Sequence, residues 1–396
     1  MSWDFWIDRG GTFTDCIGRA PDGEMHVVKR LSSDTAPVEG IRAILERAGA
    51  IEAGAALPAA SVRLGTTVAT NALLERRGAR TLLVASRGLG DVLEIGTQQR
   101  PELFSLRIEK PKALHERVSE VGGRVSVDGK VLEAFDEAEV RRVFADARSS
   151  GIDSVAIALI HAYAHPEFEK ALLALAVEAG FAYVSGSHEV AREIGLLARS
   201  ETAVVDAYLT PLLRNHVKEL SEALPNSRLR FMQSSGGLTD AARFRGPTAL
   251  LSGPAGGVVG AAQVAAAAGF DRAVGFDMGG TSTDVSLLRA GEVDRCFETL
   301  VAGVRVKAPM MRVHTVAAGG GSLCRFDGMR LLVGPESAAS IPGPIAYGRI
   351  DARGNPLAIE PTLTDCNVSL GRVQPDRFPF PLVREPVEVA LDALCE

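Results

Sequence analysis

The sequence predicts an α/β protein assembled from two equivalent halves, and three observations carry that expectation. An octapeptide occurs twice, as DRGGTFTD from Asp8 to Asp15 and as DMGGTSTD from Asp277 to Asp284, with six of eight positions identical. Each copy follows a short apolar run, Phe5 to Ile7 and Ala273 to Phe276, of strand length. Between the copies, apolar strand-like runs alternate with amphipathic helical patterns, which implies a mostly parallel sheet covered by helices.

The elements follow in order. A strand, a Gly-Gly turn, a second strand (Asp15 to Arg19), a turn at Pro21-Asp22-Gly23 and a third strand (Met25 to Leu31) open a meander. Pro37 to Ala48 has Pro in its first turn and Val38, Ile41, Ile44 and Leu45 on one face, which predicts a helix. Val62 to Leu64 is a strand, and a helix opens near Thr66 and Thr67 and runs through Asn71 and Leu74. Thr81 to Ala85 is a strand. Helix, strand, helix, strand are then expected over Glu137 to Ala147, Ser154 to Ile160, Pro166 to Glu178 and Ala182 to Ser185. Ser200 to Ala223 is a long amphipathic helix that Pro211 should kink or divide. Leu229 to Met232 and Val285 to Leu288 are strands, and Gly334 to Pro386 reads as loops before a last helix at Pro386 to Leu394.

Composition narrows the function classes. At 396 residues, 46% hydrophobic and 23% charged, the chain is an ordinary globular sequence with room for two or three cores. A net charge of −6 gives no electrostatic footprint for nucleic acid or an anionic membrane, and no apolar run approaches a spanning length. Only seven residues precede Asp8, so no signal peptide is expected. Five scattered cysteines without a CxxC pair argue against a disulfide framework or structural zinc and fit a reducing cytoplasm. Cys16, beside the first octapeptide, reads as a small buried thiol. His161 and His165 have helical metal-ligand spacing, but His161 sits at a strand end and Pro166 follows at once, so the geometry is wrong and a metal site is not expected.

The repeated octapeptide carries the chemistry. A Gly-Gly corner between two strands turns tightly and brings bare N–H groups near an anion. Gly10, Gly11, Thr12 and Thr14, with Gly279, Gly280, Thr281 and Thr283, are the candidate phosphate contacts. Asp8 and Asp277 are candidates for holding a hydrated Mg²⁺. With Thr12 and Thr281 they form the candidate catalytic set. Two such corners meeting across a cleft would hold ATP from both sides. Asp15 and Asp284 are weaker candidates, or cap turns. A third glycine corner, Gly319, Gly320 and Gly321, is either a nucleotide contact or a plain loop. Gly253 to Gly257 either opens a helix by close packing or touches a ligand. Thr66, Thr67 and Asn71 sit where a substrate carboxylate or simply a helix cap belongs. Arg100 is a candidate carboxylate partner, or a surface ion pair.

These stretches together resemble the hydantoinase/5-oxoprolinase family, a branch of the superfamily of actin, sugar kinases and heat-shock chaperones. The resemblance rests on IDRGGTFTD (Ile7 to Asp15), LGTTVATNALLERRG (Leu64 to Gly78), IGTQQRPELF (Ile95 to Phe104), QSSGGL (Gln233 to Leu238), LSGPAGGVVG (Leu251 to Gly260), GFDMGGTSTDVS (Gly275 to Ser286), TVAAGGGS (Thr315 to Ser322) and VGPESA (Val333 to Ala338). Arg9 and the GTQQR stretch make it most similar to the ATP-dependent 5-oxoprolinase branch.

The resemblance implies actin-like, ribonuclease H-like ATPase lobes with mixed sheets, divided at residues 1–198 and 199–396. It implies ATP and Mg²⁺ as cofactors and the opening of 5-oxo-L-proline to L-glutamate by phosphorylation of the lactam oxygen. A hydantoin-opening activity and a silent lobe that binds a partner are the alternative expectations. The implied partners are a cyclic amide and either further copies of the chain or a hydantoinase B-type subunit. Family members continue well beyond this length, with a GGAGP-type adenosine-binding segment not found here. The second lobe is therefore expected to be cut short at its C-terminus.

Overall fold

The computed structural model describes residues 2–11, 13–98, 104–107, 112–339, 341–378 and 380–396; the candidates Thr12 and Arg100 lie outside them. The chain forms two compact units, Met1–Gly256 with Arg295–Met311, and Gly257–Asp294 with Arg312–Glu396.

The first unit opens with the antiparallel meander β1 (Asp4–Arg9), β2 (Phe13–Arg19) and β3 (Met25–Leu31). After α1 (Ala36–Arg47), β4 (Ser61–Thr66) pairs parallel to β1 and leads into α2 (Val68–Leu74). A second sheet begins with β5 (Thr81–Ser86). It is followed by α3 (Val92–Ile95), β6 (Arg117–Val121), the hairpin of β7 (Arg124–Val125) and β8 (Val131–Glu133), α4 (Glu137–Ser149), β9 (Ser154–Ala158), α5 (Glu167–Glu178), β10 (Tyr183–Gly186) and α6 (Ser187–Val190). The long helix α7 (Leu196–Ala223) returns the chain to the first sheet through β11 (Arg228–Met232) and β12 (Leu238–Asp240), before α8 (Gly246–Ala249); α9 (Ser252–Ala267) begins in this unit and continues into the second from Gly257.

The first sheet has the order β12-β11-β4-β1-β2-β3, with β1, β4 and β11 parallel and β2 and β3 antiparallel. Its last five strands are in the ribonuclease H-like order expected of an actin-like lobe. Period-two alternation buries one face. Phe5, Ile7, Val62, Leu64 and Phe231 pack in one cluster with Ile41 and Ile44 of α1, Leu73 of α2 and Leu209 and Leu213 of α7. The second sheet, β10-β9-β5-β6, is parallel throughout, and β5 and β9 are buried at every residue, as strands covered on both faces must be.

Pro211 does not divide α7, which runs unbroken over 28 residues. Proline at 211 leaves the carbonyl of Ala207 without its helical partner. Ser154 Oγ donates to that carbonyl at 2.6 Å, and Ala79 N donates to the next one, Tyr208 O, at 2.9 Å. The first residue of β9 thus satisfies what the proline leaves open, and the segment before β5 adds a bond one residue further on.

The second unit contains β13 (Arg272–Met278), β14 (Thr283–Arg289) and β15 (Glu292–Val293). The short strands β16 (Arg295–Cys296), β17 (Thr299–Val301), β18 (Val304–Val306) and β19 (Met310–Met311) belong to the first unit. The second unit resumes with β20 (His314–Val316), β21 (Ser322–Phe326), β22 (Leu331–Ser337), α10 (Leu363–Ser369) and α11 (Glu385–Cys395). The octapeptide repeat is structural as well as sequential. Asp8 faces Asp15 across β1–β2 just as Asp277 faces Asp284 across β13–β14, and β20 takes the edge of β14 as β3 takes that of β2. Among the described residues no strand pairs with the other edge of β13.

The tail is more ordered than a Pro- and Gly-rich composition predicts. Thr362 and Asp365 form a reciprocal capping box at the start of α10. The buried Asp365 carboxylate also accepts from Ile345 N (3.2 Å) and Ala346 N (2.7 Å), which pins the preceding loop.

Candidate functional site

The first corner is built at the C-terminal end of β1. Gly10 N donates to Phe13 O at 3.0 Å and closes the turn. The Thr14 hydroxyl is fully buried and pairs with Ser32 Oγ at 3.0 Å, while Ser32 Oγ reaches Gly10 O at 2.7 Å. Thr14 therefore braces the corner from inside. The Asp8 carboxylate lies in a clearing kept by two glycines. A Cβ on Gly65 would sit 3.1 Å from Asp8 Oδ1, and one on Gly253 3.6 Å from it.

The neighbouring candidates gather here too. Thr67 N and Oγ1 reach Arg9 O at 3.1 and 3.2 Å, and Asn71 Nδ2 donates to Thr67 Oγ1 at 3.3 Å. A Cβ on Gly11 would lie 3.9 Å from Asn71 Nδ2. Thr66 is fully buried; its hydroxyl accepts from Val68 N at 3.2 Å and its carbonyl from Ser252 Oγ at 2.8 Å. That is capping and docking of the Ser252–Gly253 segment, which Leu251 N to Thr70 Oγ1 (3.0 Å) reinforces.

The second corner repeats the first. Gly279 N donates to Ser282 O at 2.9 Å, and the buried Thr283 hydroxyl donates to Ala318 O at 2.5 Å. The third corner docks directly onto it. Gly320 N donates to Gly279 O at 2.9 Å and Gly321 N to Gly280 O at 2.6 Å. Gly319, Gly320 and Gly321 thus join Gly279, Gly280 and Thr281 in one cluster of backbone within the second unit. A Cβ on Gly257 would lie 3.8 Å from Asp277 Oδ2, so a glycine also borders this carboxylate. Asp15 pairs with Lys29 at 3.0 Å, and Asp284 accepts from Thr315 Oγ1 at 2.6 Å.

Among the described residues no group of three His, Cys, Asp or Glu converges. One carboxylate per corner is a donor set that suits a hydrated Mg²⁺ better than a cation needing an all-protein cage. No helix among the described residues is long and apolar enough to cross a membrane.

Several participants were not legible in the sequence: Ser32, Thr70, Asp34 and His216. The polar run Ser32-Ser33-Asp34 before α1 was the only local signal. Arg9 Nη2 binds Asp34 Oδ1 at 2.7 Å, while Arg9 Nη1 is enclosed with no partner among the described residues. His216 of α7 is buried, and its Nε2 has no partner among the described residues. Burial, then the Arg9 charge, push its pKa down to about 4, against a smaller opposing effect of Asp34. The unfolded chain therefore binds a proton at this residue that the folded chain refuses. Stability should be unaffected above pH 6.5 and should fall as pH drops from there towards 4, by about 3 kcal/mol across the window. Denaturation of the wild type and His216→Gln between pH 7 and 4 checks this; equal slopes would refute it.

Two family profiles, both described as hydantoinase/oxoprolinase, match this chain: the N-terminal region over residues 4–191 and the main domain over 199–395. The chain belongs to the hydantoinase/oxoprolinase family. Among its relatives are the 5-oxoprolinase of Saccharomyces cerevisiae, 39% identical over 94% of this chain and 32% of its own length, and 5-oxoprolinase 1 of Arabidopsis thaliana, 40% identical over 98% and 33%. The caprolactamase subunit alpha of Pseudomonas jessenii is 32% identical over 98% of this chain and 57% of its own. The crystal structure of the ATP-dependent caprolactamase from that organism superposes with a TM-score of 0.82 at 31% identity, covering 98% of this chain and 58% of that one. This family member thus spans about a third of the length of the 5-oxoprolinases it matches.

Proposed function

We propose that this chain is the ATP-handling part of an enzyme that opens a cyclic amide, 5-oxo-L-proline, to L-glutamate with release of ADP and phosphate. The observation that carries the reading is the repeated hairpin: the same register, the same closing N–H···O bond and the same Asp before each glycine pair. The 5-oxoprolinase relatives supply the substrate class.

A resonance-stabilised lactam resists water. In the proposed reaction the lactam oxygen takes the γ-phosphoryl group and ADP leaves. A first water adds at the activated carbon, the ring C–N bond breaks and the nitrogen gains a proton, leaving an acyl phosphate; a second water hydrolyses it to the carboxylate and phosphate. The protein's task is positioning and charge neutralisation. The backbone N–H groups of the glycine corners would contact phosphate oxygens, with Thr12 and Thr281 as further donors. Asp8 and Asp277 would hold Mg²⁺ through its water shell; the cation, when bound, offsets phosphate charge. Thr66, Thr67, Asn71 and Arg100 remain the proposed substrate side, with Thr67 and Asn71 beside the first corner and Thr66 buried beneath it. A second subunit is the proposed partner, consistent with the name of the caprolactamase relative, and the cytoplasm is the proposed compartment.

The test is calorimetry with MgATP on the wild type, Asp8→Asn and Asp277→Asn. Each substitution should weaken binding roughly 10- to 100-fold, as losing one charge-assisted contact does. Unchanged affinity in both variants would remove the carboxylates from the reading. Phosphate release with 5-oxoproline and with hydantoin, measured on the complete enzyme, separates the two substrate classes.

A further inference from the structure

The outward face of the first sheet carries arginines from strand to strand. On this face Arg19 lies opposite Asp4, Trp6 opposite Arg63, and Arg63 opposite Arg230. At β1 the arginines are neutralised and held. Asp4 pairs with Arg19 at 2.7 Å and Arg63 at 2.9 Å, and these two guanidiniums keep its carboxyl below the usual range. Trp6 lies under both cations, 5.4 Å from Arg19 and 4.8 Å from Arg63.

At the β11–β12 edge the pattern changes. Arg228 and Arg230, two apart on β11, point to the same side, and Arg243 comes from the turn that follows β12. With Leu238, Thr239 and Asp240 they line a cavity of about 270 Å³. Among the described residues none of these three arginines has a carboxylate within ion-pair distance. The lining therefore holds three cations against one acid. Arg228 lies level with Ser61 and Asp4, at the opposite end of the parallel strands from Asp8 and the first corner.

We propose that this cavity is a second anion site, built for a phosphate group supplied either as inorganic phosphate or as a phosphate monoester. Guanidiniums recognise phosphate and carboxylate oxygens by paired hydrogen bonds. Three of them, carried by a strand and by the turn after its neighbour, offer more donors than one flat carboxylate can accept, whereas a phosphate accepts on all its oxygens. A dianion balances the surplus of two positive charges. The proposal is independent of what the glycine corners bind.

Calorimetric titration of inorganic phosphate and of glycerol 3-phosphate into the wild type, R228Q/R230Q and R243Q tests it. Saturable binding in the wild type, weakened at least tenfold in both variants while circular dichroism and MgATP affinity stay unchanged, is the expected result. The tighter of the two ligands identifies the source of the phosphate. Phosphate affinity that is identical in the variants, no saturable phosphate binding in the wild type, or binding of polyglutamate in place of either phosphate would each overturn the proposal. R243Q keeps the test decisive if the double substitution on β11 disturbs the sheet.

Discussion

Gly319→Ala should abolish tight MgATP binding while leaving the first unit folded. The added Cβ would lie 2.6 Å from Thr281 N, 2.7 Å from Gly279 O and 2.7 Å from Gly280 C, and every one of these atoms is backbone. No side chain can rotate away, so one corner must move off the other. The bonds from Gly320 N to Gly279 O and from Gly321 N to Gly280 O hold the two corners together, and they would lengthen or break. On the phosphate role proposed for these corners, displacing their backbone by about an ångström costs on the order of 100-fold in function, and overpacking costs about 1–3 kcal/mol in stability. Gly260→Ala is the internal control, since a Cβ there meets nothing within 4 Å and the residue is in the interior of α9. It should be neutral or stabilising by about 0.5–1 kcal/mol. Calorimetry and chemical denaturation of both variants decide the matter. Equal MgATP affinity in the two would show that the contact between the corners is irrelevant to the nucleotide.

Arg199→Met should destabilise the first unit by about 3–5 kcal/mol, the cost of stranding a buried ionic partner. Arg199 of α7 and Glu169 of α5 are both fully buried. Glu169 Oε1 accepts from Leu159 N and Ser187 Oγ, each at 2.7 Å, and Oε2 accepts from His188 N at 3.0 Å and contacts His188 Nδ1 at 2.6 Å. Arg199 donates to Ser187 Oγ and, at 3.0 Å, to Leu159 O. Burial lowers the arginine's pKa, and the charge of Glu169 opposes that shift. The network fastens α5, α6 and α7 around the end of β9. Removing the cation leaves a buried carboxylate with its positive partner gone. The double variant Glu169→Leu/Arg199→Met should recover part of the loss, because no charge is then left unpaired. A single-variant loss below about 1 kcal/mol would mean that the other hydrogen bonds carry the network alone.

What was legible in the sequence was local. The octapeptide hairpins, the Pro-led helix α1 and the apolar strands β5 and β9 are each fixed by turn chemistry and periodicity over a few residues. Pro211 was legible as a disturbance, but not its outcome, because the hydroxyl that rescues the Ala207 carbonyl comes from Ser154, 53 residues away. In the tail, α10 was missed although its capping box lies within four residues, since the surrounding proline and glycine content outweighed it. Thr66, Thr14 and Thr283 were legible as threonines near a corner, but not as hydroxyls turned inward.

The sequence by itself determined that two identical glycine corners exist, each with an aspartate at the end of a strand, because a tight turn and its strands depend on neighbouring residues. The tertiary structure alone decided that β11 joins β4, that Gly319 to Gly321 seat against Gly279 and Gly280, and that three arginines share one cavity. Those outcomes depend on strand pairing and packing between segments far apart in the chain, where burial and backbone hydrogen bonding override local preference.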